Sequence, residues 1–90
     1  MPSVRIPTPL RGYAAGQREV SVQGTNVAQA MGSLVEQHPS LRPHLFTEEG
    51  ELRAFVNLFL GEENVKDLQG LETAVGEEDR LMLIPSIAGG

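Results

Sequence analysis

A nearly continuous apolar run lies close to the end of the chain, Leu81-Met82-Leu83-Ile84-Pro85, preceded by Arg80. A strand that alternates apolar and polar residues can leave one face in water. A strand that is apolar on both faces is instead typical of the interior of a sheet. The run therefore predicts a last strand in a central position, and we place the first strand of the chain beside it.

The beginning of the chain predicts a hairpin. Val4 and Ile6 alternate with polar residues and indicate a strand that ends near Pro7. Residues 12–16 form a glycine-containing turn, and residues 17–22 alternate again, with their two valines facing inward.

A helix follows the hairpin. Thr25 and Asn26 are both able to cap it, and Pro39 ends it. Its apolar stripe has the spacing i, i+4, i+7, i+8 and i+11, which one face of an α-helix requires. The stripe consists of Val27, Met31, Leu34, Val35 and His38.

The second half predicts a strong strand over 52–60, a short edge strand over 64–66 and brief helical turns at 42–45 and 71–75. A hairpin, a helix and then further strands predict an α+β fold, a mixed sheet with one main helix packed on one face. This is the layout of a β-grasp, or ubiquitin-like, domain, although ferredoxin-like folds use similar parts. We assign residues 1–86 to the domain and 87–90 to a flexible tail.

Alternation within the strands separates the two faces of the sheet. Asn57 is polar and belongs outside the core, so its face is the open one. That face then carries an apolar patch formed by Phe59, Met82 and Ile84, which we expect to bind a partner. The opposite face packs against the helix through Val56, Leu58, Leu81 and Leu83. A loop over 40–52 that covered the patch would instead make it a second core layer.

Composition excludes several classes of function. The chain has 90 residues, enough for one domain, and no cysteine, so it has no disulfide, no cysteine-bound zinc and no thiol nucleophile. The net charge is +2 over residues 1–45 and −7 over 46–90, with no basic stripe for nucleic acid. We expect no membrane association and a cytoplasmic location, because the N-terminus lacks the apolar segment of a signal peptide.

The chain ends in Ala88-Gly89-Gly90. Two glycines make a thin tail that can enter a narrow channel, and the terminal carboxylate is ionised at neutral pH. A carboxylate is a poor electrophile, but joining it to AMP gives an anhydride that sulfide or a persulfide can attack. With sulfide the product is a C-terminal thiocarboxylate. Alternatively, the small residues simply form a frayed end.

The sequence resembles the MoaD/ThiS group of ubiquitin-like sulfur carriers, and within it the CysO-type carriers of cysteine biosynthesis. The resemblance covers nearly the whole chain and departs from that branch in the turn Gly76-Glu77-Glu78-Asp79. It is carried by Val4-Arg5-Ile6-Pro7-Thr8, Leu10-Arg11, Gly16-Gln17, Phe55-Val56-Asn57, Glu63-Asn64-Val65, Gly70-Leu71-Glu72-Thr73, Pro85 and Ala88-Gly89-Gly90.

The resemblance implies a carrier rather than an enzyme, with no cofactor of its own. An E1-like adenylating enzyme of the MoeB/ThiF type would use ATP to activate Gly90, and sulfide or a persulfide-bearing rhodanese would supply sulfur. A pyridoxal-phosphate-dependent cysteine synthase would then use the sulfur, and a JAMM-type zinc metalloprotease would release the product. The main alternative acceptor is the large subunit of molybdopterin synthase. Thiamin thiazole formation and tRNA thiolation are less favoured destinations of the sulfur.

Other classes of function find less support in the residues. His38 and His44 are the only imidazoles, and the acidic pairs at 48–51 and 62–63 do not follow the spacing of a calcium loop, so we expect no catalytic or metal site. A ubiquitin-like modifier, which forms isopeptide bonds through the same tail, remains an alternative. So does a plain interaction module.

Overall fold

The sheet has five strands in the order β2-β1-β5-β3-β4 in a computed structural model that describes residues 1–53 and 56–85. The last strand is central, parallel to β1 and antiparallel to β3, as its apolar sequence predicts. The strands are β1 (Ser3–Arg5), β2 (Glu19–Ser21), β3 (Val56–Leu60), β4 (Glu63–Asn64) and β5 (Arg80–Pro85). This is the β-grasp arrangement.

One main helix, α1 (Val27–Gln37), contributes the other half of the core, and a short helix α2 (Arg42–Leu45) follows it. The Asn26 side chain caps α1 by accepting a hydrogen bond from the backbone N–H of Gln29 at 2.8 Å. His38, predicted to end the apolar stripe, is half-buried at the C-cap. The other stripe residues are buried in one cluster with the inward side chains of the sheet, namely Val4, Val20, Val56, Leu58, Leu81 and Leu83.

Gly24 is required where the hairpin meets α1. Its φ is +148°, a conformation that residues with a side chain rarely adopt. A Cβ atom at this position would lie 2.8 Å from the backbone nitrogen of Ala30. The chain can therefore pass this close to the helix only as glycine.

Several predicted boundaries differ from the structure. Of the turn expected at 12–16, residues 12–14 are the end of a 3-10 helix over Thr8–Ala14, because Pro9 presets a helical φ in its first turn, and only residues 15–16 form a turn. The edge strand lies at Glu63–Asn64 instead of 64–66, since Val65 turns inward and is buried. The helical turn predicted at 71–75 is a 3-10 turn at Gly70–Glu72. The third strand begins at Val56, and Ala54 and Phe55 lie outside the described residues.

Within residues 1–53 and 56–85, no helix combines the length and apolar character needed to cross a membrane.

Candidate partner-binding face

The face of the sheet opposite α1 is open, and the register of the strands defines its central row. Arg5 pairs with Glu19 on one side and with Met82 on the other, and Met82 in turn pairs with Phe59. Phe59 pairs with Asn64 of the edge strand. Paired residues point to the same face, so one row of side chains crosses all five strands.

The middle of this face is apolar. Met82 is 38% exposed and Ile84 41%, whereas Leu81 and Leu83, which alternate with them, are buried. Phe59 is half-buried beside them. We call Phe59, Met82 and Ile84 the apolar patch. Exposed apolar side chains clustered next to one another are typical of an interface.

The segment 40–52 does not form a second layer over the apolar patch. Leu45 and Phe46 in this segment are buried in the main core, and Leu52 packs against that core. Phe46 and Leu52 also form an isolated antiparallel β-bridge, so the chain between them folds back as a closed loop. The alternative in which this loop covers the patch is therefore wrong.

Two asparagines border the apolar patch on the side of β4. Asn64 donates a hydrogen bond through its amide nitrogen to Oδ1 of Asn57 at 3.2 Å. The Asn64 side-chain oxygen accepts from the backbone N–H of Lys66 at 2.9 Å, which caps the following 3-10 turn. Asn57 therefore lies on the open face, as its polarity predicts, with its carboxamide tied to the turn after β4.

An ion pair lies on the other side of this face. Glu19 accepts a hydrogen bond from the Ser3 hydroxyl at 2.6 Å and pairs with the Nε of Arg80 at 3.2 Å. The carboxylate is thereby held near the start of β5 and not at Arg5, its cross-strand neighbour. Both side chains of the ion pair are well exposed, so it contributes little to stability.

A pocket of about 300 Å³ adjoins the apolar patch at the end of β1, and sequence reasoning missed it. We call it the arginine pocket. Its walls are Arg5, Pro7, Thr8 and Arg11 on one side and residues 82–84 of β5 on the other. The signal was present in the alternation of β1, where Arg5 stands between the inward Val4 and Ile6.

The tail residues Ala88, Gly89 and Gly90, and the proposed boundary at residue 86, lie outside the described residues. The covalent chain nonetheless limits their reach. Gly90 stands six positions after Ile84, and an extended chain spans at most about 3.5 Å per position. Any site that holds the Gly90 carboxyl group while the patch is bound is therefore within about 21 Å of Ile84.

The two histidines are not brought together as a site. The His44 ring lies against Tyr13 with centroids 4.1 Å apart and an interplanar angle of 30°. His38 caps α1 instead. Among the described residues no three His, Asp or Glu side chains are grouped closely enough to hold a metal ion.

The β-grasp fold defines a class of small ubiquitin-like carriers and modifiers. Residues 4–90 match the ThiS family. The chain belongs to that family.

Relatives within this class resemble the chain over nearly its full length. It is 32% identical to the sulfur carrier protein CysO of Mycobacterium tuberculosis over 90 residues, covering 98% of this chain and 97% of the relative. It superposes with a TM-score of 0.91 on a chain of the Amycolatopsis orientalis BexX/CysO complex, at 32% identity and full coverage of both chains. It is 35% identical to small archaeal modifier protein 1 of Haloferax volcanii over 79 residues, covering 84% of this chain and 86% of the relative. The CysO relative is described as a sulfur carrier protein.

Proposed function

We propose that this protein carries sulfur as a thiocarboxylate on Gly90 and delivers it for cysteine biosynthesis. The observation that carries the proposal is the match to CysO over 98% of the chain, together with a family match that extends through Gly90. The absence of cysteine from the sequence adds that no side-chain thiol can hold the sulfur in its place.

The proposed chemistry has two steps. A carboxylate oxygen of Gly90 attacks the α-phosphorus of ATP on an adenylating enzyme of the MoeB/ThiF type, forming an acyl adenylate and releasing pyrophosphate. Hydrosulfide then attacks the carbonyl carbon, the bond to the AMP oxygen breaks, and AMP leaves with that electron pair. No electrons are gained or lost overall. Glycine favours the second step because it has no side chain to block the nucleophile.

The adenylating enzyme docks on the apolar patch in this proposal. β5 contains the exposed residues Met82 and Ile84 and ends at Pro85. The reactive carboxyl group belongs to Gly90, five residues after Pro85. An enzyme that binds the apolar patch must therefore have its adenylation site within about 21 Å of Ile84 to receive the tail. Burial of apolar surface holds the complex, while the tail supplies the substrate group.

The acceptor of the sulfur is a pyridoxal-phosphate-dependent cysteine synthase, and a JAMM-type metalloprotease then releases the product from the tail. The large subunit of molybdopterin synthase is the alternative acceptor. The similarity to small archaeal modifier protein 1 favours a second function, in which the activated Gly90 is joined to amines of other proteins. Lys66 is the only lysine, so chains built on the protein itself could form only there or at its N-terminal amine.

The test is sulfur loading in vitro. The protein is incubated with the adenylating enzyme of its own genome, ATP and sulfide, and its intact mass is measured. We expect a gain equal to the difference between one sulfur and one oxygen atom. Removal of Gly90, or addition of one residue after it, abolishes the gain without changing thermal stability. A truncated protein that still gains sulfur contradicts the proposal.

Adding purified acceptor candidates to the loaded protein then identifies the destination. Consumption of the thiocarboxylate by the cysteine synthase and its amino-acid substrate supports cysteine biosynthesis. Consumption only by the molybdopterin synthase large subunit supports the alternative. Conjugates recovered with antibody from cell extracts, and lost on removal of Gly90, identify the modifier function.

A further inference from the structure

The arginine pocket contains two cations and no acidic residue. Arg5 and Arg11 both line it, and none of the carboxylates of the described residues does so. The surrounding protein has a net charge of −5. A local positive site on an acidic protein is a feature that a negatively charged group on a partner can recognise.

The Arg5 side chain is exposed and makes no hydrogen bond or ion pair with residues 1–53 and 56–85. Its cross-strand neighbour Glu19 could neutralise it, but that carboxylate is bound to Ser3 and Arg80 instead. The guanidinium of Arg5 therefore keeps its full set of donors for an external group.

Arg11 is held in place, in contrast to Arg5. It is half-buried, and its Nε donates to the backbone oxygen of Ile6 at 3.0 Å. This bond uses one of five guanidinium donors and fixes the plane of the group at the pocket wall. A preorganised guanidinium loses less side-chain entropy when it binds than a free one does.

We propose that the arginine pocket binds an aspartate or glutamate side chain on the adenylating enzyme, next to the apolar contact at Met82 and Ile84. This inference rests on the proposed function, and it defines the chemistry of the enzyme surface as apolar with an adjacent carboxylate. A planar carboxylate can accept two parallel hydrogen bonds from a guanidinium, a geometry that lysine cannot offer. The apolar patch supplies affinity, and the arginines set the orientation from which the tail enters the enzyme.

The test is the affinity between the full-length protein and the adenylating enzyme, measured by calorimetry at two salt concentrations. Arg5→Gln removes the charge without breaking a hydrogen bond within the described residues, and we expect about tenfold weaker binding, equivalent to about 1.4 kcal/mol. The variant also binds with a smaller salt dependence than the wild type, because one screened ion pair is lost. Arg5→Lys, which keeps the charge but not the fork, recovers only part of the affinity.

Arg42→Gln is the matched control. Arg42 is also exposed and its replacement changes the net charge equally, but it lies in α2 and does not line the arginine pocket. Equal weakening by Arg5→Gln and Arg42→Gln, or wild-type affinity for Arg5→Gln, overturns the inference. If the wild-type protein gains sulfur in the same preparation, the proposed function survives that result. If it gains none, both fail together.

Discussion

Replacement of Ile84 tests whether the apolar patch is a docking surface. Ile84 retains 41% of its exposure in the free protein, and complete burial of such a side chain stabilises a complex by about 1.5–3 kcal/mol. The part still available to a partner is therefore worth about 0.6–1.2 kcal/mol. Ile84→Ala should weaken binding to the adenylating enzyme about three- to eightfold.

Ile84→Glu should have a much larger effect. It places a carboxylate without a partner in a contact that excludes water, which costs several kcal/mol, so we expect at least about hundredfold weaker binding. In the free protein the same carboxylate remains in water. The free energy of unfolding should then fall by less than about 1 kcal/mol, as for other surface substitutions.

Leu83→Ala is the control for this pair of variants. Leu83 precedes Ile84 in β5, but its side chain lies in the core and is only 2% exposed, and truncating a buried leucine costs about 2–5 kcal/mol of stability. Urea denaturation should show this loss, while the folded fraction still binds the enzyme. If Ile84→Glu lowers stability as much as Leu83→Ala does, or binds the enzyme as well as the wild type, the docking surface is elsewhere.

Three further outcomes test the account of the fold. Gly24→Ala should destabilise the protein by at least about 2 kcal/mol in urea denaturation, because the new Cβ atom meets the helix backbone and the φ of this residue is +148°. Gly12→Ala is the control: a Cβ atom there meets nothing within 4 Å, so stability should change by less than about 0.5 kcal/mol. Asn26→Ala should cost about 1 kcal/mol through loss of the helix cap, and Asn26→Ser should restore most of it. Glu19→Gln should change thermal stability little, since its ion pair is exposed; a loss above about 1 kcal/mol would show that the pair is stronger than its exposure implies.

The sequence predicted the parts of this fold that depend on strong hydrophobic patterns. The apolar run of β5 required a central strand, and the helical stripe starting at Val27 required a helix over the inner face. Alternation around Asn57 also separated the two faces of the sheet correctly. In each case burial of many apolar side chains decides the structure, and burial is what periodicity reports.

The sequence was less informative where single contacts decide the backbone. The 3-10 helix over Thr8–Ala14 and the inward turn at Val65 depend on local hydrogen bonds and on one buried side chain each. The positive charge of the arginine pocket depends on the orientation of the Glu19 carboxylate, which binds Ser3 and Arg80 and so does not neutralise Arg5. No pattern in the sequence indicates that orientation. The chemistry assigned to the tail stays a prediction, since it rests on the glycines themselves and not on their packing.

Fragmentation of the intact, sulfur-loaded protein in a mass spectrometer locates the sulfur atom along the chain. After incubation with the adenylating enzyme, ATP and sulfide, the replacement of one oxygen by sulfur should appear only in fragments that contain Gly90. Omission of ATP should abolish it, because hydrosulfide does not displace oxygen from an unactivated carboxylate. Sulfur found in fragments that lack Gly90, or no gain of sulfur with an enzyme shown to adenylate its substrate, would contradict the assignment of this protein as a thiocarboxylate carrier.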